Sequence, residues 1–88
     1  MGQREKLVIK ILSGTGDDSI RFDELCGLLN SFRFSLRIKG SHNIFYRDDV
    51  EEIINIQPKN GKVKPYQVKQ IRNIIIEYKL GGELNVQI

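Results

Sequence analysis

The spacing of hydrophobic positions divides the first third of the chain into two helical segments. Apolar residues recur at intervals of three and four between Gln3 and Ser13, and the same spacing returns from Ile20 to Ser31. This pattern predicts two amphipathic helices, with Gly14 as the C-terminal stop of the first. The N-cap of the second is predicted among three polar residues: Asp17, Asp18 and Ser19.

From Phe34 onward the period changes to two, which is typical of strands. The alternation predicts a half-buried strand that buries Phe34, Leu36 and Ile38 and leaves Arg37 and Lys39 on an open face. Two further strands are predicted at 43–47 and 51–57, after turns at Gly40 and at Asp48-Asp49. Three short strands joined by tight turns predict an antiparallel meander.

A third helix is predicted after a polar loop at 59–62, with Pro65 as its first residue. Lys69 and Arg72 fall outside its apolar stripe and are predicted to point into solvent, and Gly81-Gly82 is predicted to end it. The predicted inward stripe consists of Val68, Ile71, Ile75 and Tyr78.

This order of elements predicts an α+β fold with the helices on one face of a three-stranded antiparallel sheet. At 88 residues the chain is expected to form a single domain, 1–88. From the second helix onward the order is α-β-β-β-α, as in the double-stranded-RNA-binding fold. The core is then 20–80, 1–13 adds a helix, and 83–88 is predicted to be a short extended tail.

The net charge of +3 conceals an uneven distribution. The segment 33–47 holds four basic residues and no acid, and the segment 59–72 holds five basic residues and no acid. If the two segments fold together, they form a basic surface that attracts polyanions in a salt-dependent manner. The alternative is that these lysines and arginines only solvate the surface.

Other features bound the class of protein. The single cysteine, Cys26, lies among leucines and is predicted to be a buried helical residue rather than a catalytic thiol. One cysteine cannot form an intramolecular disulfide, the N-terminus does not resemble a signal peptide, and no stretch is apolar enough to span a bilayer. The expected location is the cytoplasm.

The only histidine, His42, is the candidate catalytic group. Imidazole exchanges protons near neutral pH, although a histidine at this place is also an ordinary polar residue beside a turn. Ser41 has no carboxylate partner that would make it the nucleophile of a triad, so a phosphate contact or a turn cap is favoured. The acidic run from Asp48 to Glu52 fits a solvated hairpin better than a Mg²⁺ site, and no metal or cofactor is predicted.

The segment Gly40-Ser41-His42-Asn43-Ile44-Phe45 follows a basic strand and precedes a proline-containing loop and a helix. In this context the Gly-Ser-His-x-x-Phe motif resembles the HicA family of small toxins over about 20–80. The resemblance implies a ribonuclease that cleaves messenger RNA, with His42 as its catalytic histidine, and a HicB-like antitoxin as its partner.

Several groups near that histidine are candidates for binding the phosphate of the RNA. Arg37, Lys39 and Lys64, or the backbone N–H groups near Gly40, are expected to stabilise the charge that develops on the phosphate. Because the chain has no second histidine, the complementary acid is expected to be a lysine, water or the substrate itself, and the enzyme is expected to be slow. It is also expected to act without a metal ion. The predicted RNA-binding residues are Arg37, Lys39, Gly40, Ser41, Lys62, Lys64, Lys69 and Arg72. Two alternatives stay open, a non-catalytic RNA-binding module and a protein-interaction domain with a basic surface.

Overall fold

Three α-helices and one antiparallel sheet form the fold of residues 2–84, the part of the chain that this computed structural model describes. The helices are α1 (Gln3–Ser13), α2 (Phe22–Ser31) and α3 (Pro65–Glu77). The strands are β1 (Ser35–Lys39), β2 (His42–Arg47) and β3 (Val50–Ile56). This architecture confirms the α+β class, the element order and the first residues of α1 and α3. None of the helices in the described range has the length and apolar character that crossing a bilayer requires.

The sheet is the predicted meander, with strand order β1-β2-β3 and antiparallel pairing throughout. On one side of β2, Lys39 lies opposite His42. On the other side, Phe45 lies opposite Ile54. The ladder is regular from the β1–β2 turn to Phe45 and becomes irregular between Phe45 and Arg47, where β3 has extra residues. The irregularity therefore lies at the far end of β2 from the turn.

The core forms between the helices and one face of the sheet. Phe45, Ile54 and Ile56 supply the buried sheet side chains, and each is at most 2% exposed. They belong to a single apolar cluster with residues of all three helices, including Val8, Leu25, Leu28, Val68 and Ile71. The helices thus cover one face of the sheet, as the sequence predicts, and leave the other face open.

The first strand corrects the prediction of a half-buried β1. Leu36 is 48% exposed and Ile38 is 66% exposed, although Phe34 just before the strand is buried. β1 is an edge strand, and α3 contacts β3 at the opposite edge of the sheet. An apolar side chain is buried only where another element covers it, so the alternation in β1 indicated a strand without securing its burial.

The start of α2 also differs from the prediction. Asp17–Ser19 forms a short 3₁₀ turn, and Arg21 is the N-cap without a side-chain capping hydrogen bond. The Phe22 N–H instead donates to the Gly61 carbonyl at 2.9 Å. Asn60 and Gly61 have φ of 54° and 75°, which fits a type I′ turn. The predicted polar loop is therefore an ordered turn whose Gly61 carbonyl accepts a hydrogen bond from the first N–H of α2.

The end of α3 comes earlier than predicted. The helix stops at Glu77 with Tyr78 as its C-cap, and Lys79 adopts the left-handed conformation with φ of 55°. Gly81-Gly82 therefore does not end it, and lies within the 3₁₀ turn Leu80–Leu84. Of the predicted tail, Glu83 and Leu84 belong to that turn and the other residues lie outside the described range. The inward stripe is confirmed for Val68, Ile71 and Ile75, whereas Tyr78 is only partly buried.

The prediction that Arg72 points into solvent is wrong. Its side chain is 17% exposed, its Nε–H donates to the Ile11 carbonyl at 2.8 Å, and its Nη2 group binds the Asp17 carboxylate. The guanidinium therefore caps the C-terminal end of α1 and ties that end to α3. Arg72 is a structural residue, because its hydrogen-bonding groups are used within the fold.

We expect Arg72→Met to lower the free energy of unfolding by about 1.5–3 kcal/mol, since it removes charge-assisted hydrogen bonds from a mostly buried site. Urea denaturation followed by circular dichroism measures the change. Lys69→Met is the matched control, because Lys69 is an exposed cation on the same helix, and its change should stay within about 0.5 kcal/mol. Equal losses in the two variants would contradict the structural role of Arg72.

Candidate nucleic-acid interface

His42 is exposed on the open face of the sheet, away from the helices. Directly paired residues of antiparallel strands share a face, so Lys39 lies beside it on β1. Alternation along β2 places Ile44 and Tyr46 on this face and the buried Phe45 on the other. The face of His42 is thus set by regular alternation, and the ladder needs no bulge near Gly40.

The motif glycine closes the β1–β2 hairpin. Gly40 adopts φ of 61°, a conformation that favours glycine, and the space where a Cβ would stand is open. Ser41 completes this turn, and its hydroxyl accepts a hydrogen bond from Gln57 Nε2 at 3.3 Å. The predicted turn is confirmed, and it brings Ser41 and the segment after β3 to the end of the sheet where His42 lies.

Asn55 of β3 holds the imidazole ring. Its Oδ1 lies 3.2 Å from His42 Nδ1, across the open face. In the neutral ring an amide oxygen at this distance favours the tautomer with the proton on Nδ1. The lone pair of Nε2 is then free to accept a proton, as a general base requires.

A buried amide supports Asn55 from the helix side. Gln67 is 3% exposed, and its Nε2 donates to the Asn55 carbonyl at 3.0 Å. Its Oε1 accepts from the Lys64 N–H at 3.2 Å, which completes the first turn of α3. The start of α3 is therefore connected through Asn55 to the imidazole.

Asn55 and Gln67 are site residues that the sequence pattern did not predict. Asn55 interrupts an isoleucine-rich strand, and this polar residue between Ile54 and Ile56 was a detectable signal for an open-face position. Its pairing with His42 required the register of β2 and β3, which composition does not give. Gln67 gave no signal, since a glutamine near a helix N-terminus usually faces solvent.

The predicted basic residues separate into two groups. Arg37 and Lys39 share the open face with His42, and no carboxylate in residues 2–84 lies within 4.0 Å of either. The backbone of Lys62 instead forms an isolated β-bridge with Arg21 at the start of α2, and the exposed Lys69 lies on α3 in the helical layer. The nine basic residues therefore do not form one continuous patch on the open face.

Arg47 also does not contribute a free cation to the open face. Its Nε–H donates to Asp49 at 2.6 Å, and its Nη2 group donates to Glu83 at 2.7 Å. The hydrogen bond to Glu83 is the main reason that the pKa of Arg47 is raised, and Nη1 donates to the Phe32 carbonyl at 2.7 Å. This guanidinium fastens the end of β2 to the chain that precedes β1.

Two acidic residues of the β2–β3 hairpin, Asp49 and Glu52, have side-chain partners within the fold. Asp49 binds Arg47, and Glu52 accepts from the Tyr78 hydroxyl at 2.6 Å. This hydrogen bond lowers the pKa of Glu52, and the adjacent Glu52 in turn raises the pKa of Glu77. Across residues 2–84 no three histidine, cysteine or carboxylate side chains are grouped as metal ligands.

Cys26 lies on α2 and is partly buried against the core. Burial raises the pKa of its thiol, so the reactive thiolate is disfavoured.

Comparisons of this chain with protein-family models, curated proteins and solved structures gave no significant match. The chemistry of the open face is therefore the main structural indication of function.

Proposed function

We propose that this chain is a HicA-like ribonuclease toxin with the double-stranded-RNA-binding type of fold. It cleaves messenger RNA in the cytoplasm without a metal ion and is neutralised by a HicB-like antitoxin. The resemblance of the Gly-Ser-His-x-x-Phe motif to HicA toxins is the reason for proposing this family. The single observation that carries the catalytic assignment is the contact between His42 Nδ1 and Asn55 Oδ1. It leaves Nε2 of an exposed histidine available as a base, next to basic residues that have no carboxylate within 4.0 Å in residues 2–84.

In the proposed reaction, His42 Nε2 removes the proton from a ribose 2′-hydroxyl. The 2′-oxygen attacks the adjacent phosphorus, the bond from phosphorus to the 5′-oxygen breaks, and that oxygen takes a proton from water or from Lys39. The products are a 2′,3′-cyclic phosphate and a 5′-hydroxyl. Arg37 and Lys39 are the side chains that offset the charge of the phosphorane. Two proton transfers are needed and the chain offers a single imidazole, so one transfer is left to a weaker catalyst and the reaction is slow.

The test is incubation of the purified chain with a long single-stranded RNA in EDTA, followed by analysis of the fragment ends. The proposal expects fragments with cyclic-phosphate or 3′-phosphate ends and 5′-hydroxyls. Fragments with 5′-phosphate ends, or cleavage that disappears in EDTA, would rule out this chemistry. Complete absence of cleavage under conditions where the chain is folded would rule out the enzyme.

A non-catalytic RNA-binding module is the second candidate. Arg37 and Lys39 on the open face, which have no carboxylate partner among residues 2–84, favour it equally. Such a module would bind RNA in a salt-sensitive manner without cutting it.

A purely protein-binding domain is the third candidate, and it would have no affinity for RNA. The exposed Leu36 and Ile38 on edge strand β1 are compatible with a protein partner, which supports the proposed antitoxin as well.

Asn55 gives a more specific prediction about His42. We expect Asn55→Ala to lower kcat by roughly 2- to 10-fold, the loss expected from one neutral hydrogen bond, because the ring loses its orientation and its favoured tautomer. In a His42→Ala background the same change should have no further effect on residual cleavage. Initial rates of the four variants in a double-mutant cycle measure this coupling. Independent, additive losses would mean that Asn55 does not act through His42.

A further inference from the structure

The open face of the sheet carries apolar side chains that the core does not use. Tyr46 is 39% exposed and Ile53 is 61% exposed, and Ile44 between them and His42 is half-buried. In residues 2–84 the helices pack against the opposite face of the sheet. Exposed apolar side chains that lie together commonly mark a binding site. Here an aromatic ring and two isoleucines share a surface with the candidate catalytic histidine.

The arrangement of this face follows from the strand register. Lys39 lies opposite His42, Arg37 lies opposite Ile44, and Ser35 lies opposite Tyr46. The cations therefore lie on edge strand β1, while the imidazole and the tyrosine ring lie on β2. The rise of a strand places Tyr46 about 13 Å from His42 along β2. Cations that track phosphates beside an apolar surface for bases are the two parts of a single-strand binding face.

We propose that the open face binds single-stranded RNA, with one unpaired base stacked on Tyr46 while the scissile phosphate lies at His42. This inference rests on the proposed function for the role of His42, and it names the substrate class of the same site. Every base has a π-face, so a tyrosine platform binds without strong sequence preference. A duplex keeps its bases stacked on each other and cannot use the ring, so paired RNA is disfavoured.

The position of Tyr46 distinguishes it from the other exposed tyrosine. Tyr66 is 67% exposed, but it lies in the first turn of α3, in the helical layer. Tyr46 instead shares its face with His42, Arg37 and Lys39. The two tyrosines therefore form a matched pair, in which loss of the ring is expected to matter at only one position.

The experiment measures binding of a fluorescent, unstructured RNA oligonucleotide and of its duplex by anisotropy. A His42→Ala background prevents cleavage during the measurement. We expect Tyr46→Ala to weaken binding of the single strand by roughly 5- to 100-fold, the range of one lost base stack. Tyr46→Phe, which keeps the ring, and Tyr66→Ala should each stay within about twofold. Duplex affinity should change little in all variants.

Three results would overturn the inference: unchanged binding by Tyr46→Ala, equal weakening by Tyr46→Phe, or equal weakening by Tyr66→Ala. Tyr46→Leu, which keeps an apolar side chain on the sheet, replaces Tyr46→Ala if thermal unfolding shows that the alanine variant is not folded. If the open face instead docks a protein, the single strand binds to none of the variants, or to all of them equally, and either result overturns the inference.

Cleavage by the chain with His42 intact is measured separately, so the two proposals fail in different ways. Tyr46-dependent binding without any cleavage would remove the enzyme and keep the binding face. Cleavage that persists in Tyr46→Ala with an unchanged KM would keep the enzyme and remove the stacked base.

Discussion

His42→Ala is expected to reduce the rate of RNA cleavage by about 10²- to 10⁴-fold, the range for loss of a positioned general acid or base. The imidazole lies exposed on the open face and contributes nothing to the apolar core, so the variant should unfold at nearly the wild-type temperature. Its affinity for RNA should also change little, because the cations of β1 remain. Initial rates with a long single-stranded RNA in EDTA measure the effect.

Asn43→Ala is the matched control for this experiment. Asn43 is the next residue of β2, points to the other face, and donates through Nδ2 to the Ile56 carbonyl at 3.2 Å. Its replacement should leave the cleavage rate of the folded chain within about twofold, since it removes no group from the open face. Cleavage by His42→Ala at the wild-type rate would mean that another group is the base, and would refute the assignment.

Phe45→Ala is expected to lower the free energy of unfolding by about 3–5 kcal/mol, the cost of a large cavity in a packed core. Phe45 is 2% exposed and faces Ile54 and Ile56 under the helices. A domain of this length has a total stability of roughly 4–13 kcal/mol, so the variant loses much of its margin. Urea denaturation followed by circular dichroism provides the measurement.

Ile38→Ala is the control, and it also tests the corrected description of β1. The alternation in the sequence predicts a buried Ile38, whereas the structure leaves its side chain 66% exposed. We expect its replacement to change the stability by about 0.5 kcal/mol or less. A loss comparable with that of Phe45→Ala would show that β1 is covered in solution.

The histidine and the phenylalanine of the Gly-Ser-His-x-x-Phe motif therefore have different roles. His42 and Phe45 are three positions apart on one strand, and an odd separation places them on opposite faces of the sheet. Phe45 anchors β2 in the core, and this anchoring presents His42 on the open face. The motif combines a packing residue, Phe45, with the proposed catalytic residue, His42. Stability measures the contribution of the first, and cleavage rate measures that of the second.

Local pattern was sufficient for most of the elements. Helical spacing located α1 and α3, and alternation with turn residues located the three strands, because these signals depend on neighbours along the chain. The errors lie where distant segments meet. The prediction for the start of α2 failed because the Phe22 N–H binds the distant Gly61 carbonyl instead of a local side-chain cap. The prediction for Arg72 failed because its partners are Ile11 and Asp17.

The α+β class, the order of the elements, the hairpin turn at Gly40 and the candidate base His42 all follow from local patterns in the chain. The exposure of Leu36 and Ile38, the contact of Asn55 with the imidazole, and the cations that stay available become evident only in the folded molecule. Burial and side-chain pairing differ in this way because they depend on residues that are far apart in the chain. Register and layer packing bring such residues together, and a short window of sequence contains neither.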